Sequence, residues 1–242
     1  MSNRVAQSRL DRLTVSNDAF SNIFQMVYTA LMVNVALIIA NLPLAFMFVV
    51  VKDPLAAWPF FLILSVTVPP SVTGAFGAFR AMKDDSDVGP ITAFLHSYRR
   101  NAVRALVTGA ASRALIAIVL IDFAWATQNG LAPLMGPLLI VIAALAVAVE
   151  TTALAGFSLN ENVNAWTLVK AAIYVALRRW YFSLVAVALV LLIAVAALVQ
   201  PILGMVLAPS ILLFLIWSNA QFSYDRLVAA TTESAAITTI RT

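Results

Sequence analysis

The chain has no cysteine, a single histidine and few charges, with Asp, Glu, Lys and Arg making up 11% of its 242 residues. The missing thiols exclude disulfides, thiolate metal sites and cysteine nucleophiles, and leave the redox compartment open. His96 alone cannot furnish a histidine metal cluster or a histidine-based triad. No G-x-x-x-x-G-K-[ST] loop is present, so no nucleotide phosphate site of that kind is encoded. The one acidic group, Asp84, Asp85 and Asp87, has no further acidic ligand nearby and reads as a solvated loop. These gaps point to a protein that is not an enzyme, with no catalytic residue, metal or cofactor.

What the chain has instead is apolar sequence, 62% of it, at a mean hydropathy of +0.96. An average soluble domain carries about 25% charged residues, far more than this chain offers for covering itself in water. The apolar residues come in long blocks, and about 20 of them in a row suffice to cross the hydrocarbon of a bilayer. Six stretches qualify or nearly do: residues 23–51, 58–81, 103–125, 131–154, 181–199 and 202–222. The first is broken by Asn41-Leu42-Pro43 and closed by Lys52-Asp53-Pro54, and Pro69-Pro70 is expected to kink the second. Two amphipathic segments, 91–100 and 166–180, are too short to cross and suit helices lying at the cytoplasmic interface. Trp58, Trp125, Trp166, Trp180 and Tyr181 fall near the ends of spans, where aromatic anchors belong.

The expected fold is therefore an all-α membrane protein, a bundle of about six transmembrane helices with two short interfacial amphipathic helices. The chain divides into a tail over 1–22, the membrane domain over 23–222 and a second tail over 223–242. Arg4, Arg9 and Arg12 precede Asp18 in a polar start that lacks the apolar core of a secretory signal, so the first tail is expected to be retained. Placing both termini in the cytoplasm collects Arg80, Lys83, Arg99, Arg100, Arg104, Lys170, Arg178, Arg179, Arg226 and Arg241 on the same side as that tail. Only Lys52 then lies in an outer loop, which is the distribution that orients multi-pass proteins. The same placement accounts for the net charge of +4 without nucleic acid, because the basic residues flank apolar blocks. Gly77 precedes Arg99-Arg100 by the interval at which Gly156 precedes Arg178-Arg179, consistent with two units repeated in parallel or with chance.

Few side chains inside the spans are polar. Arg113 stands about halfway along the third, where a guanidinium pairs or faces a cavity. Glu150, near the inner end of the fourth, is its candidate partner; the alternatives are snorkelling alone or contact with another subunit. Asn34 and Asn41 lie seven residues apart and share a helical face, suited to helix packing or partner binding. Gly74 and Gly77, beside Ala75 and Ala78, allow close backbone approach. Arg99, Arg100, Arg178 and Arg179 are candidates for contact with anionic lipid or with a cytoplasmic partner.

The run Val68-Pro69-Pro70-Ser71-Val72-Thr73-Gly74-Ala75-Phe76-Gly77-Ala78-Phe79-Arg80 and the later Phe94-Leu95-His96-Ser97-Tyr98-Arg99-Arg100-Asn101 resemble the YesL-like family of bacterial integral membrane proteins. The first span, with Asn34 and the Leu42-Pro43 step, is also similar; Ala102 stands where that family often has an aromatic. The resemblance covers roughly the first hundred residues. It implies an accessory subunit of an ABC-type carbohydrate importer in the bacterial cytoplasmic membrane, packed against permease subunits, with membrane lipids or further copies of itself as other partners. The alternative is a permease subunit with its own substrate path. Glu150-Thr151-Thr152 followed by Gly156 is similar to the opening of the E-A-A-x-x-x-G coupling loop of importer permeases, but the apolar and Pro part that should come next is missing.

Reporter tags fused to the two ends of the chain should emerge on the same, cytoplasmic face of the membrane; tags on opposite faces would overturn the topology.

Overall fold

The computed structural model describes residues 23–160, 162–178, 180–199, 209–222 and 224. The first expected tail, all of the second but Tyr224, Arg179 and the start of the expected sixth span lie outside these residues. The described chain is helical, with no strand among its residues. Such a fold is compatible with a bilayer, where a helix satisfies its own backbone donors and acceptors without water.

In chain order the helices are α1 (Ile23–Ala40), α2 (Leu42–Val50), α3 (Trp58–Leu64), α4 (Val68–Lys83), α5 (Pro90–Gln128), α6 (Ala132–Leu159), α7 (Ala165–Arg178), α8 (Trp180–Val199) and α9 (209–222). Four segments are long and apolar enough to cross a membrane: Ile23–Ala40, Trp58–Lys83, Pro90–Gln128 and Ala132–Leu159. A fifth is reached by length if Ala165–Arg178 and Ser183–Ala196, which meet at 101°, are taken as one broken span.

The breaks have their cause in backbone chemistry. Pro43 has no N–H to continue the ladder of α1, and Asn41 sits in a turn before α2 restarts with Pro43 in its first turn. Pro69 and Pro70 likewise remove two donors, but the result is not a kink inside one helix. The chain passes through a 3-10 turn, Ser65–Thr67, and α4 begins with a proline in its first turn, the position that tolerates one. The α5–α6 hairpin closes through Asn129 and Gly130, whose φ of +70° is open to glycine at no steric cost.

One expectation is corrected. Residues 91–100 do not form a separate interfacial helix; they are the first turns of α5, which runs unbroken for 39 residues, about 58 Å at 1.5 Å per residue. No proline or glycine lies between Tyr98 and Val103 to stop it, so the helix propagates. The amphipathic pattern has another cause. Phe94, Ser97, Asn101, Ala105, Gly109 and Ser112 form the buried face of α5, and the first of these pack on α4. The second amphipathic segment does form a helix of its own, α7, set at 101° to Ser183–Ala196 of α8.

Packing is concentrated at one end of the molecule. The core joins Val72, Phe76 and Phe79 of α4 with Phe94 of α5, Leu154 and Phe157 of α6, Leu168 and Ala172 of α7, and Leu213, Ile216 and Trp217 of α9. Trp217, not among the expected interfacial anchors, is fully buried against Phe79 and Phe214. The end of α6 and the loop that leads to α7 are held at this end by three arginines. Arg80 Nη1 donates to the Ser158 carbonyl at 2.6 Å, Arg104 Nη1 to the Val163 carbonyl at 3.3 Å and Arg100 Nη2 to Asn162 Oδ1 at 3.3 Å. Cations there also complement the carbonyl end of α6. Toward the Asn129-Gly130 turn the same two long helices expose Leu115, Ile118, Ile121, Leu134, Leu138 and Val141.

The closest helix contact is α4 on α5. A Cβ on Gly109 would overlap the Pro69 ring, and one on Gly77 would overlap the Ser97 side chain, whose Oγ donates to the Thr73 carbonyl at 2.9 Å. Gly109→Val and Gly77→Val should each destabilise the folded protein by about 1–3 kcal/mol through overpacking, read as a lowered unfolding midpoint in detergent. Gly89→Ala, where added volume meets nothing within 4 Å, should leave it unchanged.

Candidate functional site

Arg113 and Glu150 are brought together by the hairpin. Arg113 lies 15 residues before the end of α5 and Glu150 18 residues after the start of α6, about 22 and 27 Å from the turn. Antiparallel helices place such positions at nearly the same height. Arg113 Nη1 donates to Glu150 Oε1, and the side chains are 16% and 8% exposed. Snorkelling toward an interface is thus not what Arg113 does in this structure; its charge is met by a carboxylate inside the bundle.

The guanidinium has a second acceptor. Its Nε donates to Ser65 Oγ at 3.3 Å, and the Ser65 hydroxyl donates in turn to the Leu62 carbonyl at 2.7 Å. Ser65 opens the 3-10 turn that precedes the proline pair, so the break in the second span sets an acceptor opposite the arginine. This residue gave no signal in the sequence beyond its neighbourhood to Pro69-Pro70.

Asn41 belongs to the same neighbourhood. Its Nδ2 donates to Ser71 Oγ at 2.7 Å and to the Leu37 carbonyl at 2.9 Å, tying the α1–α2 break to α4. Asn34, on the same face of α1, meets a different helix: its Oδ1 accepts from the Ser210 N–H at 3.0 Å. The two asparagines therefore link the first span to α4 and to α9. Gly74 and Gly77 face α5 at Phe94 and Ser97.

The exposed arginines lie apart from this site. Arg99 and Arg100 are exposed on α5, and Arg100 already holds the α6–α7 loop through Asn162. Arg178 donates to the Tyr174 hydroxyl and lies over its ring at 5.6 Å. Among the described residues no group of three or more His, Asp or Glu is placed to hold a metal ion, and Asp84 pairs with Arg80 at 3.4 Å.

Between α1, α2, α3, α4, α5, α6, α8 and α9 the helices leave a half-open chamber of about 440 Å³. Arg113, Glu150, Ser65, Ser71 and Asn41 all line it, and nearly all the remaining wall is aliphatic or aromatic. Electrostatically the site is a compensated pair beside mainly apolar walls. Such a pair is stable only while both partners are present.

No family model matches the chain, and neither does any curated protein or solved structure.

Replacing one partner alone, Glu150→Gln or Arg113→Gln, should cost about 3–5 kcal/mol by stranding a buried charge. The double replacement Arg113→Gln with Glu150→Gln should cost clearly less than the sum of the two single ones. Unfolding in mixed micelles measures all four proteins, and additive costs would show that the two side chains do not act as a pair.

Proposed function

We propose that this chain is a non-catalytic, multi-pass subunit of the bacterial cytoplasmic membrane that works by packing against other membrane subunits. In this reading it crosses six times, with both termini in the cytoplasm and α7 lying along the cytoplasmic interface. Its partners are the permease subunits of an ABC-type carbohydrate importer, as the YesL-like resemblance of the second span suggests.

The observation that carries the reading is the uncovered flank of the α5–α6 hairpin. Only 17% of the most apolar stretch of each of these helices is buried within the chain, against 50% for the segment Trp58–Lys83. A hairpin held at one end by α4 and α7, with large aliphatic side chains along the rest, offers a long surface to neighbouring helices. Lipid fills that surface where no partner is present.

The chamber favours a second reading, a permease with its own path, because it gathers Arg113, Glu150 and Asn41 between helices. Its chemistry counts against sugar as cargo. A sugar brings many hydroxyls, each costly to bury without a partner, and the two charges in the wall already bind each other.

The full chain, tagged and extracted in mild detergent from its native membrane, should copurify with importer permeases, and the chain alone in liposomes should take up no sugar. A monodisperse protein that never associates with permeases would overturn the accessory role, and robust uptake by the chain alone would establish the permease reading in its place.

A further inference from the structure

The chamber at the ion pair is a built site with unused hydrogen-bonding capacity. Glu150 is 6% exposed, and only its Oε1 is engaged, by Arg113 Nη1. Arg113 uses Nε and Nη1. Glu150 Oε2 and Arg113 Nη2 have no hydrogen-bond partner among the described residues, and neither is sealed from contact as Asn41 Oδ1 is. Both residues border this space, whose other walls include Phe48, Ile116, Val147 and Ile193.

We infer that this chamber binds a neutral amphiphile, an alkyl or isoprenoid alcohol whose chain lies among the aliphatic walls and whose hydroxyl rests on the Arg113–Glu150 pair. Three features select that chemistry. The volume of about 440 Å³ falls within the roughly 300–1,000 Å³ of sites for drug-sized ligands. A hydroxyl is the smallest group that donates and accepts at once, matching Glu150 Oε2 and Arg113 Nη2 together. The head is uncharged because the pair is already neutral, and a further ion at this depth would be left uncompensated. A polyhydroxylated solute fails on the walls, and a plain alkane leaves the two open atoms unmet.

A lipid alcohol resident in the bilayer and an alcohol taken up from outside share this chemistry. Solvent extraction and mass analysis of the full chain purified in mild detergent detects the first as a copurifying neutral lipid. For the second, the chain in nanodiscs is irradiated with a long-chain primary alcohol carrying an aliphatic diazirine, and the labelled residues are mapped by peptide mass spectrometry. Label is expected on Ile116, Val147 and Ile193, and unlabelled alcohol should suppress it at about tenfold lower membrane mole fraction than the alkane or the carboxylate of equal length, the difference one hydrogen bond to a charged group supplies. Val147→Trp and Ile193→Trp, each filling the chamber while leaving the pair intact, should abolish that label. Label confined to outward residues such as Val103 and Leu134, indifferent to the filling variants, would overturn the site. Equal competition by alcohol and alkane would overturn the role of the pair.

Discussion

A guanidinium halfway along an apolar helix must be met by charge or by water, and this chain meets it with Glu150. That requirement fixes more than one contact. It sets the register of α5 against α6, because only one alignment of the hairpin puts the two side chains at the same height. Ser65, turned toward Arg113 by the 3-10 step before Pro69, brings the second span into the same arrangement. The prolines thus act twice: they end one helix so that a serine side chain faces the arginine, and the Pro69 ring then seats on Gly109 of α5. A side chain at position 109 would push α4 away from α5 and lengthen the reach from Ser65 to Arg113.

From that anchored middle the molecule differs toward its two ends. Where α4 ends, α5 begins and α6 ends, aromatic side chains interdigitate and three arginines hold the end of α6 and the α6–α7 loop. Toward the Asn129-Gly130 turn the two long helices have mainly each other. Lipid tails are as apolar as leucine, so there is no hydrophobic penalty for leaving such a surface outward. The closed end owes its cohesion to small residues, aromatic shape and hydrogen bonds: Gly77 against Ser97, Asn101 Nδ2 to the Ser97 carbonyl at 3.2 Å, Tyr224 donating to the Thr152 carbonyl at 3.2 Å.

How much of this was legible in the sequence depends on the kind of signal. The residues that stand out chemically from their surroundings could be read directly: Arg113 and Glu150 as isolated charges in oily blocks, Gly74 and Gly77 as small residues allowing approach, Asn129-Gly130 as a turn. Residues whose role depends on what lies opposite could not. The segment 91–100 has the periodicity of a surface helix, and periodicity reports that one face differs from the other without saying whether protein or lipid headgroups cover it. Here α4 covers it, burying Phe94, Ser97 and Asn101. Ser65 and Ser112 are ordinary residues by sequence, and Trp217 resembles any interfacial tryptophan until Phe79 and Phe214 enclose it. A chamber has no sequence signature at all, because it is the space several helices fail to fill.

The two units that share the Gly-to-Arg-Arg interval show how similar sequence diverges in structure. In each, the glycine marks a place of close approach: Gly77 against Ser97 of the next helix, Gly156 against the Tyr224 hydroxyl. In the first unit the helix beyond the glycine runs straight on as α5. In the second, α7 ends at Arg178 and the chain turns through 101°. The consequence falls on the chamber. The unbroken α5 carries Arg113 to the pocket, whereas α8, beyond the bend, contributes Val190, Ile193 and Ala194 as an apolar side wall. The walls of the pocket beside the ion pair therefore draw polar and apolar residues from both stretches, Arg113 and Ile116 from α5 and Glu150, Val147 and Ile193 from α6 and α8.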